Sequence, residues 1–389
     1  MPNDHDQLAN DQCPMTVFVS AGEPSGDAHA AAFIRALKEL RPDIVVEGFG
    51  GPKMAAEGAE LMARMEDFTV IGFVEVLKKV PAHYRLMKRM EQRLRRGGVR
   101  LLVLVDYPGF HMRVAAMAKK LGVPVFYYIA PQLWAWHESR VKKMARDVAK
   151  LAVILPFEPE FFAERGVPTV YVGHPLLDRP AQPARDVVKR HLGLDPRRPV
   201  LGLFPGSRAQ EVARLWPLMR DAAKLVLARR PDVQCIVAGT RGASYGEPGP
   251  VRVIENRPLE CFAAADAALS KSGTTTLEAA LAGAPQVIAY RMNGLSYRLA
   301  KRLVRVSSIG LANLVAGRRY APEFIQDAAT PAALADAVLP LLDESSPERE
   351  AQMDGIAEVR RRLGQPGAAR RAAREALSLI NDNGVRRET

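Results

Sequence analysis

Three glycine-containing segments carry residue types that bind phosphorylated or sugar substrates. The first, at 205–208 (PGSR), directly follows an apolar run. Gly206 allows the backbone to approach a ligand closely, Ser207 offers a hydroxyl, and Arg208 offers a planar set of donors suited to phosphate oxygens. We therefore predict a phosphate contact at this segment; an arginine in an ordinary surface loop is the alternative.

The second segment, at 270–278 (SKSGTTTLE), closes an apolar run and opens a helical pattern. Hydroxyl side chains and unpaired backbone amides at a helix start can hold a pyrophosphate. The candidates are Ser272, Gly273, Thr274 and Thr275. Glu278 lies one turn further along, where its carboxylate could accept hydrogen bonds from ribose hydroxyls. The alternative is a capping box that pairs Thr275 with Glu278, and the segment does not match the Walker pattern.

The third segment, at 20–27 (SAGEPSGD), also joins an apolar run to a helical pattern. Gly22 and Gly26 permit unusual backbone angles or a close ligand, while Ser25 and Asp27 are types that favour helix N-caps. The helix start could hold an anion or a sugar hydroxyl. An ordinary capped turn is the alternative, because the segment lacks a complete dinucleotide-binding pattern.

A candidate general base, Asp106, follows the most apolar run of the chain, 101–105 (LLVLV). A carboxylate at the end of a buried strand costs free energy unless it is paired or used, and proton abstraction needs a carboxylate within hydrogen-bond reach of a hydroxyl. The alternative is a structural aspartate that caps the next helix. His174, alone in a turn, is more typical of a structural histidine.

The elements that must position these residues alternate along the chain as strand and helix. Apolar runs predict strands at 16–20, 44–48, 101–105, 125–129, 151–155, 200–204, 233–238, 251–254, 267–270 and 285–290. Continuous apolar strands separated by helices are typical of parallel sheets covered on both faces, and ligands bind beyond the carboxyl ends of such strands. We predict two doubly wound α/β domains facing a cleft. The predicted boundaries are a disordered tail at 1–13, a domain at 14–178, a linker at 179–199, a domain at 200–345 and a helical region at 346–389.

The charge of the chain narrows the classes of partner. Its 389 residues include 55 Lys and Arg against 43 Asp and Glu, a net charge of +12. Nine basic residues and one acid fall within 78–100, directly after the apolar segment 68–74. This pattern favours contact with an anionic lipid surface, with a solvated basic helix as the alternative. We expect no nucleic-acid partner and no metal, because neither a nucleic-acid-binding motif nor a spaced set of metal ligands accompanies the charge.

Taken together, nine motifs in this order resemble the lipid-A-disaccharide synthase family, glycosyltransferases of Gram-negative outer-membrane biosynthesis. The resemblance runs over about residues 16–330. The motifs are 20–27 (SAGEPSGD), 72–77 (GFVEVL), 106–110 (DYPGF), 131–136 (PQLWAW), 156–158 (PFE), 173–176 (GHPL), 205–208 (PGSR), 272–278 (SGTTTLE) and 311–326.

The resemblance implies a GT-B fold and a specific reaction. UDP-2,3-diacylglucosamine would donate its sugar to the 6-hydroxyl of 2,3-diacylglucosamine 1-phosphate (lipid X), giving a β-1,6 tetraacyl disaccharide 1-phosphate and UDP. It implies inversion, no metal or other cofactor, and a cytoplasmic enzyme attached peripherally to the inner membrane. It assigns the general base to Asp106 and implies that Gly22, Ser25, Gly26 and Asp27 line the cleft from the N-terminal side. It adds four donor-side residues: Asn313, Arg318, Glu323 and Gln326.

The chain departs from the family pattern at a few positions. His111 replaces the usual Asn, His137 replaces the usual Arg, and the usual L-P-N reads L-A-N at 311–313. Two alternatives remain: another UDP-sugar enzyme of the same fold, such as a UDP-N-acetylglucosamine 2-epimerase, or a nucleic-acid- or membrane-binding protein without activity. A homo-oligomer is compatible with the sequence, which leaves open where the C-terminal helical region packs.

Overall fold

The computed structural model describes residues 15–65, 75–136, 138–293 and 307–388. The predicted tail at 1–13, the apolar segment 68–74 and His137 lie outside these ranges. The chain divides into two compact units, one formed by Met1–Asp178 with Gln365–Thr389 and the other by Arg179–Gly364. Both units are doubly wound α/β structures, so the predicted fold class is confirmed.

Within the described residues, the first unit contains a seven-stranded parallel sheet of order β3-β2-β1-β4-β5-β6-β7. Its strands are β1 Thr16–Ala21, β2 Val45–Gly50, β3 Glu60–Arg64, β4 Val99–Val105, β5 Val125–Tyr128, β6 Lys150–Val153 and β7 Thr169–Tyr171. Its helices are α1 Pro24–Leu40, α2 Pro52–Ala56, α3 Glu75–Arg95, α4 Pro108–Lys120, α5 Leu133–Trp136, α6 Val141–Asp147 and α7 Glu158–Ala163. The central strands β1 and β4 are apolar on both faces because helices cover both sides.

The described part of the second unit contains a six-stranded parallel sheet of order β10-β9-β8-β11-β12-β13. Its strands are β8 Val200–Phe204, β9 Gln234–Gly239, β10 Val251–Glu255, β11 Ala267–Lys271, β12 Gln286–Tyr290 and β13 Glu323–Ile325. Its helices are α8 Arg185–His191, α9 Ala209–Arg229, α10 Pro258–Ala264, α11 Thr274–Ala282, α12 Leu311–Ala316, α13 Pro331–Val338 and α14 Pro347–Leu363. The adjacent strands β8 and β11 carry the segments 205–208 and 270–278 at their carboxyl ends.

The segment predicted as a linker, 179–199, folds as part of the second unit. Arg185 and Lys189 of α8 lie 3.1 Å and 2.7 Å from the two carboxylate oxygens of Asp266. The same carboxylate accepts a hydrogen bond of 2.8 Å from the amide of Val200, where β8 begins. Because these groups are largely buried, α8 is fixed against the start of the sheet.

The predicted C-terminal helical region, 346–389, is divided between the two units. Helix α14 lies in the second unit, whereas the last helix, α15 Ala368–Glu388, packs on α1 in the first. Ala372, Ala373 and Ala376 of α15 are buried beside Phe33, since small side chains let the two helices approach closely. Asp178 accepts hydrogen bonds from the first amides of α15 and fixes its start.

Helix α3 uses its apolar stripe inside the first unit. Leu86, Met90 and Leu94 are buried in the core cluster beside β4, whereas Tyr84 is 60% exposed and Lys88 lies over its ring. The outward face of the described part of this helix is therefore basic with one aromatic side chain. Among the helices that the structure describes, none is long and apolar enough to cross a membrane.

Candidate active site

The predicted general base lies on a left-handed turn at the carboxyl end of β4. Asp106 and Tyr107 have φ of 49° and 54°, a region that non-glycine residues rarely adopt. The turn connects Val105, the last residue of β4, to Pro108 at the start of α4. Asp106 is half-buried, so its side chain lies at the edge of the sheet where ligands of parallel α/β folds bind.

Gly22 joins the 20–27 segment to this turn. A Cβ on Gly22 would lie 2.3 Å from Cδ1 of Tyr107, so the tyrosine ring packs directly on the glycine. The Tyr107 hydroxyl is hydrogen-bonded at 2.8 Å to Nε2 of His83, from α3. Burial raises the pKa of Tyr107, with Glu23 adding to the effect, so the phenol stays protonated near neutral pH. The two predicted segments therefore form one surface of the first unit.

Asp27 has a different task from the predicted contact with substrate. It is 2% exposed, and its carboxylate accepts hydrogen bonds from the amides of Gly51, Lys53 and Met54 at 2.9–3.1 Å. These are the amides at the start of α2, which the carboxylate caps. The geometry favours a structural role for Asp27, while Ser25, exposed in the first turn of α1, remains a candidate for ligand contact.

A buried carboxyl group fixes the tryptophan-containing motif at 131–136. Glu158 is 1% exposed and accepts hydrogen bonds from Nε1 of Trp134 at 3.1 Å and from the amides of Ile154 and Leu155. Burial raises the pKa of Glu158 to about 7, although these three donors favour the ionised form. The motifs 131–136 and 156–158 thus meet through one side chain.

In the second unit, an ion pair joins the segment 270–278 to the helix that follows 205–208. Nζ of Lys271 lies 2.8 Å from Oε1 of Glu211, whose other oxygen accepts from the amide of Ser207 at 3.1 Å. Burial alone would raise the pKa of Glu211, but the hydrogen bond and charge of Lys271 and the Ser207 amide lower it overall. Gly206, with φ of 133°, is needed because a Cβ would lie 2.5 Å from Glu211.

The segment 272–278 forms the predicted helix start. Gly273 has φ of 124° and precedes α11, and the exposed Thr274 is its first residue. Ser272 donates to the carbonyl of Ile309 at 2.7 Å, so its hydroxyl is used within the unit. Glu278 is not paired with Thr275 in the structure's hydrogen bonds; its Oε1 accepts from Arg179 at 2.6 Å.

The four predicted residues of the late motif, at 313–326, differ in how deeply they are buried. Asn313 donates to the carbonyl of Ala321 and to Glu323, and accepts from two amides, so its amide group is fully used. The side chain of Glu323 is 1% exposed and accepts from the amides of Ile309 and Gly310. These contacts favour structural roles for both.

Gln326 and Arg318 complete the late motif. Gln326 pairs with the backbone of Met292 through both ends of its amide, at 2.9 Å and 3.1 Å, which fixes the two loops together. Arg318 is exposed and, among the described residues, has no hydrogen bond or ion pair to its guanidinium in the structure. It is therefore the member of this motif that is best placed for ligand contact.

Comparison with known proteins decides the family. A family model described as lipid-A-disaccharide synthetase matches residues 17–378. The chain belongs to the lipid-A-disaccharide synthase family. It is 40% identical over 373 residues to the lipid-A-disaccharide synthase of Anaeromyxobacter sp. (strain K), covering 94% of this chain and 97% of that protein. It is 41% identical over 379 residues to that of Trichlorobacter lovleyi, covering 95% and 99%.

Solved structures agree on the fold. The calicheamicin glycosyltransferase CalG4 matches with a TM-score of 0.60 at 17% identity, covering 95% of this chain and 98% of CalG4. At that identity the likeness shows the fold, which is GT-B. This member of the lipid-A-disaccharide synthase family is therefore a glycosyltransferase with the fold that the sequence predicted.

Sequence reasoning missed several residues that shape the site. Glu211 lies three residues beyond the 205–208 segment, Lys271 lies within 270–278 but was not among its candidates, and Arg179 falls in the predicted linker. Tyr127 is a further such residue, because its hydroxyl donates to the Asp106 carbonyl at 2.7 Å. The available signal for Lys271 was its place inside SKSG; nothing in the sequence marked the other contacts.

Proposed function

We propose that this chain transfers 2,3-diacylglucosamine from UDP-2,3-diacylglucosamine to the 6-hydroxyl of lipid X, with inversion at the anomeric carbon and without a metal. The products are the β-1,6 tetraacyl disaccharide 1-phosphate and UDP. Family membership supports the reaction. The structural observation that carries the donor side is the Glu211–Lys271 pair, which joins 205–208 to 272–278 as one surface.

The roles of the second-unit residues follow from the charge of the leaving group. UDP leaves as an anion, and donors fixed in advance stabilise charge that develops in the transition state. Arg208, at the N-cap of α9, offers a guanidinium, and the start of α11 offers amides and the Thr274 hydroxyl. The positive end of each helix dipole acts in the same direction.

On the acceptor side, Asp106 takes the proton of the 6-hydroxyl as the oxygen attacks. In one concerted displacement the new C–O bond forms on the face of the sugar opposite the breaking bond to UDP, which accounts for inversion. Ser25 and the backbone at Gly22 and Gly26 are proposed to contact the acceptor. The 1-phosphate of lipid X gives a reason for positive charge on this unit.

The test is turnover of purified protein with UDP-2,3-diacylglucosamine and lipid X in detergent, measured as UDP release and disaccharide formation. Asp106→Asn should lower kcat roughly 10²–10⁴-fold, the contribution of a positioned acid or base. Asp43→Asn makes the same chemical change at an exposed surface pair with Arg41 and should turn over normally. Wild-type turnover by Asp106→Asn would remove this base from the mechanism.

A second arm tests the donor site separately. Arg208→Ala should weaken UDP binding in calorimetry by roughly 10–100-fold, the value of hydrogen bonds to a charged group. Unchanged UDP affinity would overturn the assignment of 205–208 to phosphate. Activity that is independent of detergent or lipid, with turnover of a water-soluble UDP-sugar, would favour another UDP-sugar enzyme of this fold.

We also propose that the outward face of α3 rests on the anionic inner-membrane surface. Arg85 and Lys88 are exposed beside Tyr84, a combination of cations and an amphipathic ring suited to a lipid headgroup layer. Replacing both cations by Gln should reduce sedimentation with vesicles containing phosphatidylglycerol but not with neutral vesicles. Equal binding of variant and wild type to the anionic vesicles would contradict this role.

A further inference from the structure

The left-handed turn at Asp106 and Tyr107 is held at one atom, the carbonyl oxygen of Asp106. This oxygen accepts a hydrogen bond from Nδ1 of His111 at 2.6 Å and another from the hydroxyl of Tyr127 at 2.7 Å. A carbonyl oxygen has two lone pairs, and both are used here. The amide of Asp106 donates to the carbonyl of Tyr128 at 3.0 Å, so the backbone of the residue is fixed on both sides.

The two side chains that donate to the Asp106 carbonyl are both buried in the core. His111 and Tyr127 are each 0% exposed, and their rings make an edge-to-face contact with centroids 6.3 Å apart. His111 lies on α4, immediately after the turn, whereas Tyr127 lies on β5, the neighbouring strand. The turn is therefore held from two independent elements, which is what a sparsely populated backbone conformation requires.

The hydrogen-bond partners also fix the tautomer of His111. A carbonyl can only accept, so Nδ1 carries the proton. Nε2 is then an acceptor and receives the hydroxyl proton of Ser20, 2.9 Å away at the end of β1. Burial lowers the pKa of His111 to about 4, with the Asp106 carbonyl opposing the shift, so the ring is neutral at the pH of the cytoplasm.

We propose that His111 is a positioning residue, whose Nδ1–H fixes the Asp106 peptide and thereby aims the Asp106 carboxylate at the acceptor hydroxyl. The inference rests on the proposed function, because it needs Asp106 to be the base. The side chain of Asp106 begins at the Cα that this peptide orients. A rotation of the peptide would move the carboxylate oxygens, and a misplacement of about 1 Å can cost roughly 10²-fold in rate.

Two substitutions distinguish the contact made by Nδ1 of His111 from the contact made by Nε2. In His111→Asn the side-chain amide nitrogen is attached at Cγ, as Nδ1 is, so it can still donate to Asp106 while the Ser20 contact is lost. In His111→Gln the amide is one bond further out, so it can reach Ser20 while the Asp106 donor is lost. Tyr127→Phe removes the second donor and keeps the buried ring.

The expected result is a split between kcat and KM. His111→Asn should keep kcat within about threefold of wild type, whereas His111→Gln should lower kcat roughly 10–100-fold with the KM of both substrates nearly unchanged. Tyr127→Phe should lower kcat in the same direction. If His111 and Tyr127 had a purely structural role, their substitution would instead lower the stability of the fold. Thermal unfolding monitored by circular dichroism measures that stability.

The decisive measurement is a double-mutant cycle with Asp106→Asn. If His111 acts through Asp106, adding His111→Gln to Asp106→Asn should cause little further loss, because both changes remove one function. Additive losses would overturn the proposal, as would wild-type kcat in His111→Gln or equal losses in the Asn and Gln variants. If the His111 variants do not fold, Tyr127→Phe replaces His111→Gln in the double-mutant cycle with Asp106→Asn. Additive losses of kcat, or a wild-type kcat in Tyr127→Phe, would again overturn the proposal.

The cycle also separates this inference from the proposed function. Full activity of Asp106→Asn alone would overturn the base itself. A large loss in Asp106→Asn together with a fully active His111→Gln and Tyr127→Phe would leave the base in place and overturn only the positioning role.

Discussion

Replacing Gly22 by alanine is the most direct probe of the surface that Gly22 shares with Tyr107. The new Cβ would lie 2.3, 2.5 and 2.6 Å from three atoms of the Tyr107 ring. Ordinary carbon contacts begin at about 3.5 Å, so ring or backbone must move by roughly 1 Å. Movement of the ring would also disturb the hydrogen bond between its hydroxyl and His83.

The expected cost of this overpacking is about 1–3 kcal/mol of unfolding free energy. For a unit of this size that corresponds to a fall of roughly 2–12 °C in Tm, measured by circular dichroism. Because Tyr107 is bonded to Asp106 in sequence, displacement of its ring should also misplace the carboxylate. A loss of about 10²-fold in kcat is expected in the UDP-release assay.

Gly26→Ala is the matched stability control, four residues along the same segment. Its Cβ would meet Ala21 at 3.6 Å and Val105 at 3.7 Å, which are ordinary contacts. Gly26 lies in α1, where alanine is favoured over glycine by about 0.5–1 kcal/mol, so Tm should stay or rise. The reasoning is refuted if Gly22→Ala unfolds at the wild-type temperature, or if Gly26→Ala loses as much stability as Gly22→Ala.

Two further predictions concern buried charges. Lys271→Met should weaken UDP binding about tenfold in calorimetry, a loss of roughly 1.4 kcal/mol, because Glu211 loses the ion pair that connects the 205–208 loop to β11. The control is Lys224→Met, which removes a surface ion pair with Asp221 on α9. Equal effects of the two variants on UDP binding would contradict this role of the Lys271–Glu211 pair. Glu158 has a pKa near 7 when folded against 4.5 as a reference. Its contribution to stability is therefore fully present below about pH 4.5 and is lost as the pH rises to 7, a change of roughly 3 kcal/mol. Glu158→Gln should show a flatter dependence of Tm on pH over that window, and parallel curves for the two proteins would contradict the assignment.

The strands that could be predicted are those whose burial makes them apolar on both faces. All ten predicted runs overlap a strand, and the run at 200–204 matches β8, Val200–Phe204, to the residue. The three strands that sequence reasoning missed are β3, β7 and β13. All three lie at sheet edges. Strands β7 and β13 have only three residues each, and β3 is partly exposed, so their length or hydrophobicity does not distinguish them from loops.

The division of the C-terminal region could not be read from its pattern either. Helices α14 and α15 are both rich in charge, and both carry a narrow apolar stripe. What sends α15 to the first unit is the fit of its alanines against α1 and the cap from Asp178, nearly 190 residues earlier in the chain. Contacts at such separations leave no local signal in one sequence.

The motifs predicted the position of the candidate site better than they predicted which of its side chains are available to a ligand. Asn313 and Glu323 were named by the family resemblance, and Asp27 was a candidate because it lies in the 20–27 segment at a helix start. The oxygens and amides of these side chains are suited to sugars and nucleotides. The same atoms are equally suited to backbone amides, and in this structure all three side chains accept from such amides, as Asp27 does from Gly51. Residue type alone cannot separate the two tasks, because both need the same donors and acceptors.

Burial separates these two tasks where residue type does not. A polar group with almost no exposed surface and all its hydrogen bonds made inside the unit has little left for a ligand, whereas an exposed one keeps that capacity. Of the predicted site residues, the exposed ones are Ser25, Ser207, Arg208, Thr274 and Arg318. Their buried neighbours hold the turns in conformations that the chain would otherwise not adopt. It follows that substituting an exposed residue of this set should change substrate affinity at constant Tm. Substituting a buried one, such as Asp27 or Asn313, should change substrate affinity and Tm together.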